Sequence, residues 1–162
     1  MNKKALTLIE LLMVMLMLFL VMGTLITAFL AGASVFNTEL NMTDVMIEAN
    51  RGMDLASREL RNSLEITSAT STSISFWGED INSNGTKESA EVISYAWDGT
   101  ANGELVRTAG GTPSAISRNV NGFELSYNSP SVSSIDEVTI KLTIARGAEY
   151  ATLESTVKPR NL

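Results

Sequence analysis

No charged residue occurs between Glu10 and Glu39, and the run from Leu11 through Leu30 is almost wholly apolar. This stretch limits the chain's options more than any other. Crossing the hydrocarbon core of a bilayer takes about 20 residues of helix, and the run is long enough to do so. Lys3 and Lys4 precede it and no comparable basic cluster follows closely. The positive-inside bias then places the N-terminus in the cytoplasm and everything after the run outside. Glu10 is the anomaly, because an acid beside a membrane run costs free energy and is by default a functional residue.

The remaining composition narrows the function classes. The 162-residue chain has a formal net charge of −6, without the basic face that nucleic-acid binding needs. It contains no Cys and no His. Disulfide staples, thiol nucleophiles and Ser-His catalysis are therefore excluded, and a zinc site has lost its usual ligands. No Ser-x-x-Lys motif is present either. The expectation is a non-enzyme.

Once Leu11 has started a helix, no proline interrupts it before Pro113. Beyond Phe36 the pattern turns amphipathic. Met42, Met46, Ala49, Met53, Ala56, Leu60 and Leu64 recur at spacings of four and three, which marks one helix face. The spacing predicts a single helix from about Leu6 to about Leu64, roughly 90 Å long at the α-helical rise. Its first half suits lipid and its second half suits packing against a domain.

After Leu64 the period changes to two, with β-branched and aromatic residues between Gly, Asn and Ser turns. Strands are predicted around Ser73–Trp77, Val92–Trp97, Leu105–Thr108, Phe123–Tyr127, Glu137–Ala145 and Ala151–Val157. The turns between them include Gly110-Gly111 and Asn121-Gly122. Val138, Ile140, Leu142 and Ile144 share one face of the clearest strand. The fold class that follows is α+β: a long N-terminal helix, transmembrane half plus amphipathic half, packed on a mostly antiparallel β-sheet.

The opening residues, Lys3-Lys4-Ala5 followed by Leu6-Thr7-Leu8-Ile9-Glu10 and the apolar run, resemble the type IV prepilin signal. Type IV pilins and type II secretion pseudopilins share it. The resemblance implies that residues 1–5 are a leader peptide removed by prepilin peptidase between Ala5 and Leu6, and that the new Leu6 amine is methylated. It also implies that Glu10 is the fifth-position acid that pairs with a neighbouring subunit during assembly. Two departures stand out: Ala5 replaces the commoner Gly, and Leu6 the commoner Phe. The stretch 49–62, with Arg58-Glu59-Leu60-Arg61, is similar to the second half of the helix in J-type minor pseudopilins and W-type minor pilins. Phe123-x-Leu125-x-Tyr127 and the Lys158-Pro159-Arg160-Asn161-Leu162 end are similar too.

The resemblance implies a pilin-like organisation: leader 1–5, transmembrane and assembly helix 6–35, and exported globular domain 36–162. Within that domain, 36–64 is amphipathic helix and 65–162 is β-rich. The implied role is a minor pilin or pseudopilin that helps initiate or cap a type II secretion pseudopilus or a type IV pilus. Its implied partners are prepilin peptidase, other pilins or pseudopilins, the inner-membrane assembly platform and the lipid bilayer. Its location is the inner membrane and then the filament. Two rivals are an ordinary secretory signal cut after Ala33, although its apolar region would be unusually long, and a membrane-anchored binding protein or adhesin that never polymerises.

One loop stands apart. From Asp80 to Glu91, oxygen-bearing side chains fall at loop positions 1, 3, 5, 9 and 12, with Gly85 at position 6. That spacing suits a Ca²⁺ loop with Asp80, Asn82, Asn84, Glu88 and Glu91 as ligands. Lys87 at position 8 departs from the usual pattern, and strand-like flanks suit a polar hairpin instead.

Overall fold

The computed structural model describes residues 7–160. Helix α1 spans Leu8–Arg61, 54 residues without a break. Its length follows from the absence of proline before Pro113 and from a run rich in Leu, Met and Ala, which are strong helix formers. It stops where the Ser63 hydroxyl donates to the Leu60 carbonyl and the Asn62 and Ser63 N–H groups form tight three-residue bonds back into the last turn. Arg58 and Arg61 lie in that turn, where cations suit the helix dipole.

The chain divides into two compact units, Met1–Leu40 and Asn41–Leu162. In the first, every described residue is helical or at the helix start, and every one is exposed. Leu8, Phe19, Leu20, Phe29 and Phe36 are each more than 60% exposed. The helix is long and apolar enough to cross a membrane.

The second unit is α1 from Asn41 onward packed on seven strands: β1 Glu65–Ala69, β2 Ser73–Trp77, β3 Val92–Trp97, β4 Gly103–Ala109, β5 Thr112–Tyr127, β6 Val138–Arg146 and β7 Glu149–Val157. The strands are hydrogen-bonded in chain order, and every neighbouring pair is antiparallel. The sheet curls. The Leu125 N–H in β5 donates to the Ser71 carbonyl at 2.8 Å, and the Tyr127 hydroxyl donates to the Thr70 carbonyl at 2.6 Å. These bonds bring the β1–β2 turn onto the part of β5 that β4 does not reach.

The core lies between the sheet's concave face and the helix. Ile74, Phe76, Tyr95, Leu105, Phe123 and Leu125 come from β2–β5, and Val138, Ile140, Leu142 and Ile144 come from β6. The alternation expected of β6 is present throughout the strand. The helix face departs in part from the spacing. Ala49, Met53, Ala56 and Leu60 are buried, but Met42 and Met46 remain more than a third exposed. Val45, Gly52 and Ser57 complete the buried face instead. Small residues matter here because they let the sheet approach. A Cβ added at Gly52 would lie 2.3 Å from Ser117 Oγ and 3.1 Å from Leu142 Cδ2.

Two further expectations change. Strand β1 had no strand signal of its own. Strand β5 runs on through Pro113 and through Asn121-Gly122, which the sequence suggests as a turn. There the register shifts between Val120 and Gly122, so the pair forms a bulge inside one long strand rather than a hairpin. Pro113 is tolerated because that end of β5 pairs only with β4. Gly110-Gly111 is the true hairpin turn, with both φ values positive.

Candidate functional site

Helix α1 opens on Thr7 and Glu10. The Thr7 N–H and the Thr7 hydroxyl each donate to Glu10 Oε2 at 3.0 Å, and the Glu10 N–H returns to Thr7 Oγ1 at 3.4 Å. This is a reciprocal capping box, in which the residue before the helix and the third residue within it satisfy each other's amides. The sequence signal was in plain view, because Thr-x-x-Glu before an apolar run is the spelling of such a box. Both bonds to the carboxylate end on Oε2. Ala5 and Leu6, the expected cleavage pair and methylation site, lie outside the described residues.

The 80–91 loop has a different geometry from a cation cage. The Asn84 and Gly85 N–H groups donate to Asp80 Oδ1 and Oδ2, at 3.1 and 2.7 Å. Asn82 Oδ1 accepts from the Asn84 N–H, and Asn84 Oδ1 accepts from the Thr86 N–H. Glu88 Oε1 accepts from both the Asn82 and Asn84 amides. Glu91 is turned inward and only 3% exposed. Its carboxylate accepts from Trp77 Nε1, the Ile81 N–H and the Glu88 N–H. Each oxygen expected to face a cation thus faces an N–H donor. Among the described residues, no three acidic side chains form a group that could hold a metal ion. The donor set as folded does not fit calcium, because its position-12 acid is committed to protein amides.

Glu91 is therefore a structural residue, and its removal separates the two roles. Glu91→Ala takes the acceptor from the half-buried Trp77 indole and from the N–H groups of Ile81 and Glu88, two exposed residues. The expected loss is about 1–2 kcal/mol, from one donor left partly buried and two that water can reach. Thermal unfolding should show the same loss in millimolar calcium and in chelator. A loss seen only with calcium would restore the cation reading.

A third cluster escaped the sequence altogether. Glu59 on α1 receives a bidentate contact from Arg107 on β4, Nε and one terminal nitrogen both at 2.8 Å. The Tyr95 hydroxyl on β3 donates to Glu59 Oε2 at 2.6 Å. Burial, then the Glu59 carboxylate beside it, pushes the Tyr95 phenol well above its ordinary value. The bond to Glu59 raises Arg107 as well. Charge-assisted bidentate pairing of this kind fixes geometry as well as adding energy. It sets the rotation of the helix on the sheet, and all three groups are already satisfied by one another. Compared with known proteins, the chain matches no family model, and neither a curated protein nor a solved structure matches it.

Proposed function

We propose that the chain is a minor pilin or pseudopilin, a structural subunit stored in the inner membrane and drawn into a type II secretion pseudopilus or a type IV pilus. The observation that carries this reading is the first unit. From Leu8 to Leu40 an unbroken helix exposes only uncharged side chains after Glu10 and before Glu39. The same helix then continues into a second unit, where it forms one wall of the core. A plain anchor would need the first property alone. A helix that serves both as a lipid-facing segment and as the spine of a β domain suits a subunit that exchanges lipid for neighbouring helices.

The capping box supports the assigned role of Glu10. It holds the carboxylate at the first turn of α1, against Thr7. In a low-dielectric surrounding, an amine from a neighbouring subunit would meet that carboxylate with little competition from water. The domain outside the membrane carries the surface that meets partner subunits.

Mass spectrometry of the protein recovered from membranes of its own host tests the reading. The expected mature chain begins at Leu6 and carries a methyl group on its amine. An intact leader, or a start at Ser34, would remove the basis for the assignment. Ala5→Arg is expected to leave the leader in place, because prepilin-type cleavage needs a small residue there.

A further inference from the structure

Three Asn-Gly pairs occur in the chain: Asn84-Gly85, Asn102-Gly103 and Asn121-Gly122. Asn-Gly is the sequence most prone to cyclise, because glycine leaves its backbone nitrogen open to attack the neighbouring side-chain amide. The three pairs are folded very differently. Asn121-Gly122 lies in β5, where Gly122 is paired with Thr143. The Gly103 N–H donates to the Thr100 carbonyl at 3.1 Å, and a Cβ-sized space there is crowded by Thr100 and Asp98.

Asn84-Gly85 sits in an exposed loop, and Gly85 has φ +68 with open space around it. The nucleophile and the electrophilic carbonyl each have a partner suited to cyclisation, and the side-chain amide is held in place by Glu88. The nucleophile, the Gly85 nitrogen, donates its proton to Asp80 Oδ2 at 2.7 Å. The electrophilic carbonyl, Asn84 Cγ–Oδ1, accepts from the Thr86 N–H at 2.7 Å. The leaving nitrogen, Asn84 Nδ2, donates to Glu88 Oε1 at 3.0 Å.

We propose that this loop is a self-modifying site, at which Asp80 acts as the base that converts Asn84 to a succinimide and then to aspartate or isoaspartate. Asp80 takes the proton of the Gly85 nitrogen, and that nitrogen forms a bond to Cγ of Asn84. The Thr86 N–H meets the negative charge that develops on Oδ1, as an oxyanion-hole donor does. The Cγ–Nδ2 bond breaks, and the nitrogen leaves as ammonia with the proton that Asp80 had taken. Water then opens the ring at either carbonyl. The balance is one water consumed and one ammonia released, with no oxidant, reductant or enzyme. The product places a carboxylate against Glu88 where an amide donor had been, so modification loosens the turn. The inference does not depend on the chain being a pilin.

The full-length protein in detergent, incubated in neutral buffer and digested at intervals, tests it. Peptide masses and isoaspartate-specific methylation read each pair separately. Asn84 is expected to convert fastest, with Asn102 and Asn121 nearly unchanged. In denaturant the three rates should converge, with Asn84 slower than in the folded chain. Asp80→Asn should slow the folded reaction about a hundredfold, at the low end of what a positioned base contributes. If Asn84 converts faster in denaturant than in the fold, the hydrogen bonds are restraints and the proposal fails. It fails equally if Asp80→Asn leaves the rate unchanged or raises it.

Discussion

Leu142→Asp is expected to unfold the β-rich unit outright. Leu142 is 0% exposed at the centre of β6, paired with Phe123 on one side and Leu153 on the other. Its Cδ2 also lies under Gly52, 3.1 Å from where a Cβ would be. Deleting a buried leucine side chain costs about 2–5 kcal/mol through lost transfer energy and the cavity left behind. The aspartate adds an ionised carboxylate among apolar groups, or the cost of keeping it protonated. A domain of this size has about 5–15 kcal/mol to lose. Circular dichroism of the fragment 36–162 should show cooperative melting for the parent and none for Leu142→Asp. Thr156→Asp, on the exposed face of β7, should stay within about 1 kcal/mol of the parent. A Leu142→Asp fragment that melts like the parent would mean that the buried face of β6 is the other one.

This test concerns the part of the fold that was legible from sequence. A period of two along β6 and a spacing of three and four from Ala49 to Leu60 each report a single buried face, and burial follows both. The failures have a common cause: the sequence shows which atoms a side chain carries, but not what they will face. The oxygens from Asp80 to Glu91 are spaced for a cation, yet the fold gives them N–H groups, and Glu91 goes to Trp77. Nothing in the spacing of Glu59 showed that Arg107, 48 residues away, would meet it. Val45, Gly52 and Ser57 drew no attention because a hydrophobic count favours large methionines, whereas close packing on a sheet favours small residues. Asn121-Gly122 had the composition of a hairpin turn, and the long-range pairing of β5 with β6 overrode it.

Glu10→Gln is expected to remove the subunit from filaments while leaving it folded and inserted. The substitution separates the helix cap that the side chain forms from the assembly charge proposed for it. Glutamine at this position can still accept from the Thr7 N–H and hydroxyl, since the capping box is satisfied by Glu or Gln alike. Helix α1 should therefore start where it does now. Insertion should be no worse, because a neutral side chain costs less beside lipid than a charged one. What is lost is the charge that would attract a neighbour's Leu6 amine. Removing one partner of an ion pair held away from water leaves the other charge unpaired, at a cost of about 3–5 kcal/mol, and each 1.4 kcal/mol is about a factor of ten in association. Recovery in the sheared filament fraction, relative to the membrane fraction, should fall about tenfold or more. Glu10→Ala removes the cap as well as the charge and serves as the comparison. If Gln incorporates normally and Ala does not, Glu10 acts only as a helix cap. If both incorporate normally, the acid at this position has no part in assembly, and the pilin reading loses its mechanism.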